Sequence, residues 1–167
     1  MEIAFRLAMP RDASSVPAVR RLLGSTMSAL GVEGDCINDV QVAVAEACTN
    51  VLKHALDSND AYQVELELDH ESVRISVTDS GHGFDHGSFR SDAELARESG
   101  RGILIMQALV DAVEFESEPR AGTIVHLTKG LRLQPWSFLR TAPAGAAAMG
   151  KAPRRVISID PAEVSDR

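Results

Sequence analysis

Residues 42–56 read VAVAEACTNVLKHAL. Ile37, Val40, Val44, Ala47, Val51 and Ala55 recur at helical spacing and predict a helix from about Asp35 to Leu56. Val42, Ala43 and Ala45 fill its other sides, and a helix apolar nearly all round is a buried one. Against that background Glu46 and Asn50 stand one turn apart, on a stripe shared with Asp39 and Lys53. A buried carboxylate and carboxamide need partners. A cleft with a bound cation would supply them, because an amide oxygen and phosphate oxygens suit hard Mg²⁺. The plainer reading of the same stripe is a solvated face with a Glu–Lys pair, and the flanking sequence has to weigh one against the other.

Upstream, IAFRLAM (3–9) reads as a strand ended by Pro10. A helix follows on the period of Val16, Val19, Leu22, Leu23, Met27 and Leu30, with Pro17 in its first turn and Gly31 just past its end. Downstream the period changes from 3.6 to 2. YQVELELD (62–69) and SVRISVTD (72–79) alternate, with His70 and Glu71 between them as a hairpin turn. A glycine-rich loop, 80–102, precedes a short apolar helix, ILIMQALVDA. VEFESE, the turn PRAG and TIVHLTK then make a closing hairpin. The order β-α-α-β-β-loop-α-β-β predicts an α+β fold, a two-layer sandwich with a mixed β-sheet and helices on one face.

The 167 residues amount to one domain, expected over 1–129, with a C-terminal extension over 130–167 that is expected to be largely flexible. Leu131, Leu133, Trp136 and Phe138 are apolar enough for the start of that extension to dock somewhere. The net charge of −7 argues against a nucleic-acid partner. It divides as −10 over residues 1–129 and +3 over 130–167. No apolar run is long enough to span a membrane and no signal pattern opens the chain, so a cytoplasmic protein is expected. Cys36 and Cys48 lie too far apart on one helix to pair, and free thiols are expected.

Two glycine motifs bear on the Glu46–Asn50 stripe. DSGHG (79–83) follows a strand directly, and its glycines permit close backbone approach to a ligand. SGRGILIM (99–106) places Gly100, Arg101 and Gly102 before an apolar helix, where free N–H groups and the helix dipole favour an anion. Each motif alone is weak. In combination, E-x-x-x-N on a helix, D-x-G-x-G after a strand, G-x-G before a helix and Gly122-Thr123 opening the last strand resemble the histidine-kinase-like (Bergerat) ATP-binding fold. Within it, EACTNVLKHA and SGRGILIMQALVDAVEFE resemble the anti-sigma-factor serine kinases of bacteria.

The resemblance, over roughly residues 3–129, implies a set of roles. Asn50 would hold Mg²⁺ at the ATP phosphates, with Lys53 and His54 on the phosphate side. Asp79 would accept a hydrogen bond from the adenine amino group, and Thr123 would help hold the same edge. Gly81 and Gly83 would let the chain pass the base. Gly100, Arg101 and Gly102 would meet the phosphates, and residues 84–99 would be the ATP lid. Glu46 would act as the base on a serine hydroxyl. By the same resemblance the chain would sequester a sigma factor, phosphorylate a STAS-type anti-anti-sigma factor, and form a homodimer. Arg20 and Arg21 are candidate partner contacts. The alternative is a module that binds ATP or ADP and grips a partner without phosphate transfer.

Overall fold

In a computed structural model the described residues are 3–54, 61–79, 93–118 and 122–141. They form β1 (Ile3–Pro10), α1 (Ser15–Ala29), α2 (Gly34–His54), β2 (Ala61–Leu68), β3 (Ser72–Asp79), α3 (Ala93–Leu109), β4 (Ala112–Glu118) and β5 (Gly122–Gly130), followed by a 3₁₀ turn, Phe138–Thr141. The α+β prediction holds. The sheet runs in the order β1-β2-β3-β5-β4, and every neighbouring pair is antiparallel, so it is not the mixed sheet expected. The reason lies in the last hairpin. The α3 crossover returns the chain as β4 one place beyond β3, and β5 then folds back into the gap, antiparallel to both.

Period-2 alternation buries one face of this sheet. Tyr62, Val64, Leu66 and Leu68 on β2, Val73, Ile75 and Val77 on β3, and Val125 and Leu127 on β5 join one core with α2 and Met106 of α3. Tight registers, such as Leu66 opposite Ile75 and Ile75 opposite Leu127, keep these side chains on the same face. At the β2–β3 turn Asp69 Oδ1 accepts from the N–H groups of Glu71 (2.7 Å) and Ser72 (2.8 Å), which fixes the hairpin predicted there. α2 is the central helix, with Cys36, Val40, Ala43, Val44, Ala47, Cys48 and Val51 all buried. Both cysteines are free, and burial pushes the Cys48 thiol up to about 11.

α1 ends where Gly31 was expected to stop it. Gly31 has φ +80°, its N–H donates to Ser28 O (3.0 Å), and the Val32 N–H donates to Met27 O (3.0 Å). These bonds form a Schellman cap, which needs a left-handed residue at this point. The chain beyond Gly130 returns to this cap. Val32 bridges Leu133, the Gln134 N–H donates to Gly31 O (2.7 Å), Ser137 Oγ donates to Leu30 O (2.6 Å), and Leu139 is fully buried. Residues 131–141, the first part of the extension expected to be largely flexible, are therefore a packed strap. Trp136 stays exposed upon it, and residues 142–167 lie outside the described residues.

The opposite sheet face carries a buried polar cluster. Ser76 Oγ lies 2.7 Å from His126 Nδ1, and His126 Nε2 lies 3.3 Å from Glu116 Oε1. Burial, then the Arg74 charge, lower the His126 pKa from its ordinary 6.5, and Glu116 and Glu114 only partly offset them. The unfolded chain therefore takes up the proton first as pH falls. The stability tied to neutral His126 is complete above about pH 7 and is lost as pH drops through 6.5 toward the lower folded value. Urea midpoints measured from pH 8 to pH 5 should decline over this window for the wild type and decline less for His126→Gln. Parallel curves would remove the assignment.

Candidate functional site

α2 and α3 build the site. The carbonyl of Leu109 lies beside Asp39 through Lys129, whereas Gly102 lies beside Glu46 and Asn50, so the two helices run antiparallel. A Cβ built on Gly102 would stand 3.1 Å from Glu46 Oε2 and 3.5 and 3.6 Å from the oxygen and nitrogen of the Asn50 amide. The predicted base, the predicted metal ligand and one predicted phosphate-loop glycine thus meet at one point. Glu46 and Asn50 are half-buried there, on a helix whose neighbouring residues Ala47, Cys48 and Val51 are buried. Glu46 and Asn50 of the stripe thus face α3, while Lys53 at its end is exposed.

Asp79 closes β3 and pairs in register with Thr123 near the start of β5, so the two residues assigned to the adenine edge are cross-strand neighbours. Lys53 is exposed on the last turn of α2, and His54 ends that helix. Gly81 and Gly83 lie outside the described residues, as does 84–92 of the predicted lid.

The second glycine motif sits differently from the expectation. α3 begins at Ala93, so Gly100, the exposed Arg101 and Gly102 lie inside the helix and not at its start. The run AELARE, 93–98, consists of strong helix formers, and they extend the helix two turns upstream through Gly100. Within a continuous α-helix each N–H is directed at the carbonyl four residues back. The Gly100–Gly102 amides are therefore not the free donors of a helix N-terminus in this conformation, and the helix-start argument for an anion there does not apply. What remains is the close approach at Gly102.

The donors present suit a cation of the Mg²⁺ kind. Asn50 offers a neutral amide oxygen, a hard ligand beside the Glu46 carboxylate, and Mg²⁺ commonly takes only one or two protein ligands beside substrate phosphates. Among the described residues no group of three or more His, Cys, Asp or Glu side chains forms a self-sufficient metal site. Two contacts near α2 were not visible in the sequence. The Arg11 guanidinium Nη1 reaches the carbonyl of Val51 (3.5 Å), beside Asn50, and Lys129 ties Asp39 to α3. Neither has a periodic or motif signal, since each is one long side chain crossing between elements. Arg20 and Arg21 are exposed on α1 and flank a shallow recess with Pro17 and Gln41. Among the described residues no helix is long and apolar enough to cross a membrane.

Comparison with known proteins gives the family of the chain. The family pattern described as the histidine kinase-like ATPase domain matches residues 9–129. A protein named serine-protein kinase RsbW from Halalkalibacterium halodurans is 31% identical over 135 residues, covering 75% of this chain and 82% of its own length. A protein of the same name from Staphylococcus aureus is 28% identical over 138 residues, with coverages of 75% and 86%. A crystal structure of the RsbU and RsbW domains of a Mycobacterium tuberculosis protein superimposes with a TM-score of 0.60 at 20% identity. It covers 77% of this chain, which spans 32% of that structure's length. At that identity the likeness speaks for the fold alone.

Proposed function

Because the chain belongs to the histidine kinase-like ATPase family, and within it to the group of the RsbW serine-protein kinases, we propose that it is an anti-sigma factor with ATP-dependent serine kinase activity. It holds a sigma factor inactive, and it phosphorylates a serine on a STAS-type anti-anti-sigma partner. The observation that carries this reading is the meeting of Glu46, Asn50 and Gly102 at one point between α2 and α3.

Each residue has a definite task in the proposed reaction. The amide oxygen of Asn50 would hold Mg²⁺, and Lys53 and His54 are the residues proposed for the phosphate side. When bound, the ion neutralises charge developing on the transferred phosphoryl group. Asp79 and Thr123 take the adenine edge, and Gly81 and Gly83 let the chain pass close to it. Gly100, Arg101 and Gly102 approach the phosphates, and direct use of their amides requires the first turns of α3 to open. Glu46 orients the incoming serine hydroxyl and accepts its proton as the oxygen bonds to the γ-phosphorus and ADP departs. Phosphoryl transfer is governed by positioning and charge more than by proton removal, so the orienting task is the larger one.

Product release follows from charge. Phosphorylation adds about two negative charges to the partner. Residues 1–129 already carry −10, so the phosphorylated protein is repelled. Arg20 and Arg21 are the proposed contacts for a partner, and the working form is a cytoplasmic homodimer.

The direct test is incubation of the purified chain with γ-labelled ATP, Mg²⁺ and an anti-anti-sigma protein, followed by mapping of the labelled residue. Label on a serine of the partner is expected. Nucleotide binding without transfer would make the chain a binding module and refute the kinase reading. A further expectation concerns Gly102→Ala. Alanine gains up to about 1 kcal/mol of helix propensity over glycine. The added carbon would stand 3.1 Å from the Glu46 carboxylate and force it aside. Melting temperature should hold or rise while phosphate transfer falls about tenfold or more, as expected when a reacting group is displaced by a fraction of an ångström. Transfer at the wild-type rate would remove this contact from the site.

A further inference from the structure

α3 carries Gly102 to the site, yet its own last turn has no basic residue to complement the carbonyl end of the helix. A lysine from another element supplies the cation. Lys129, near the end of β5, donates from Nζ to the carbonyl of Leu109 at 2.6 Å, where a helix C-terminus favours positive charge. The same ammonium lies 3.0 Å from Asp39 Oδ2 on α2. One side chain, mostly buried, therefore joins β5, α2 and α3.

The position of this joint along the two helices matters. Asp39 precedes Glu46 by seven residues on α2, and Leu109 follows Gly102 by seven on α3. In antiparallel helices those intervals match, about 10 Å or two turns on each. A shift at the Asp39–Lys129–Leu109 joint would pass undiminished to the point where Gly102 meets Glu46 and Asn50.

Other ties hold the end of α3 to β5. The Asp111 N–H donates to Thr128 O (2.9 Å), and the Gly130 N–H donates to Asp111 Oδ2 (2.6 Å). Of these links, that of Lys129 also reaches α2. Val40, Val73, Ile75, Val110 and Leu127 surround the Lys129 stem. Apolar packing is non-directional, and a directional polar tie adds a fixed position to it.

We infer that Lys129, together with Asp39, is a positioning pair that sets the axial register of α3 against α2 and thereby places the Gly102 backbone against Glu46 and Asn50. The pair touches no substrate. It acts on phosphate transfer through the two helices, and this part of the inference rests on the proposed kinase site. The adenine-side residues Asp79 and Thr123 are carried by β3 and β5 and not by α2 or α3. Loss of the clamp should therefore lower kcat more than it raises KM for ATP.

Lys129→Met, which keeps an apolar stem and removes the ammonium, tests this in the full chain, with Lys129→Arg as the conservative variant. Amide hydrogen exchange reports on α3 without reference to activity. The Met variant should exchange faster at Gly102–Val110 while β1 and β2 are unchanged, and the Arg variant should restore protection. kcat per titrated nucleotide site should fall about 10–100-fold in the Met variant, the range for a small misplacement of reacting groups, with a smaller change in KM, and should recover in the Arg variant. A lower melting temperature with unchanged kcat per site would make the pair merely structural and overturn the inference. Unchanged exchange in α3 would overturn the register lock itself. Faster exchange in a wild-type background that transfers no phosphate would sustain the lock and refute the kinase reading separately.

Discussion

Glu46→Gln should lower phosphate transfer to the partner serine by about 10²–10⁴-fold while leaving ATP binding within a factor of a few. The substitution keeps the shape of the side chain beside Gly102 and removes its ability to take a proton. The Glu46 side chain lies close against the Gly102 backbone, so Glu46→Ala is the poorer experiment, since it would open space beneath α3 as well. Glutamine can still accept a hydrogen bond from the serine hydroxyl through its amide oxygen. The size of the loss therefore separates the two tasks given to Glu46. A fall of only about tenfold would assign it mainly to orientation, consistent with a loose transition state that needs little proton removal. A fall toward 10⁴-fold would assign it to proton transfer. Full activity in a single-turnover assay would exclude both.

Asn50→Ala acts at an earlier step. Removing one oxygen from the cation should weaken Mg²⁺-dependent ATP binding by about 10–100-fold, the equivalent of ~1.5–3 kcal/mol for a contact to a charged group. Binding measured in EDTA should change far less, which identifies the loss with the metal and not with the adenine edge at Asp79 and Thr123. The side chain is only half-buried and ends on the α3 face, so the fold should survive with a melting temperature within a few degrees of wild type. An Asn50→Ala protein that binds Mg·ATP normally by calorimetry would remove this residue from the site.

The two predictions rest on the part of the molecule most legible in the sequence. Glu46 and Asn50 stood out because helical periodicity made nearly every neighbour apolar, and physical chemistry does not leave such groups facing a core without purpose. The β2–β3 hairpin was legible for a similar reason. One buried face imposes strict alternation, as in Val64, Leu66 and Leu68 opposite Val77, Ile75 and Val73. Pairing order was not legible. Alternation marks a strand but does not name its neighbours, so the insertion of β5 between β3 and β4 came only with the structure. The beginning of α3 was hidden because AELARE lies among glycines, and the glycine signal outweighed a run of helix formers. The pairing of Asp79 with Thr123 was reached through family resemblance alone, since strand register is not written in either residue. Lys129 and the place where the strap docks were illegible for a simpler reason, although Leu131 and Leu133 showed that the strap could dock. They act through single contacts between distant parts of the chain, and a single contact has no period.

The strap also has a consequence for the order in which this protein is made. The carbonyl of Leu30 waits for the hydroxyl of Ser137, which is 107 residues later. At translation rates of about 5–20 residues per second, that interval lasts roughly 5–20 s. Throughout it the α1–α2 turn has its own Gly31 and Val32 bonds but lacks the Ser137 hydroxyl, and the place that Leu139 will fill remains empty. A nascent chain halted before Ser137 should therefore hold its sheet and helices yet leave the α1–α2 turn uncovered to chaperones and proteases, until residues 131–141 arrive to seal it.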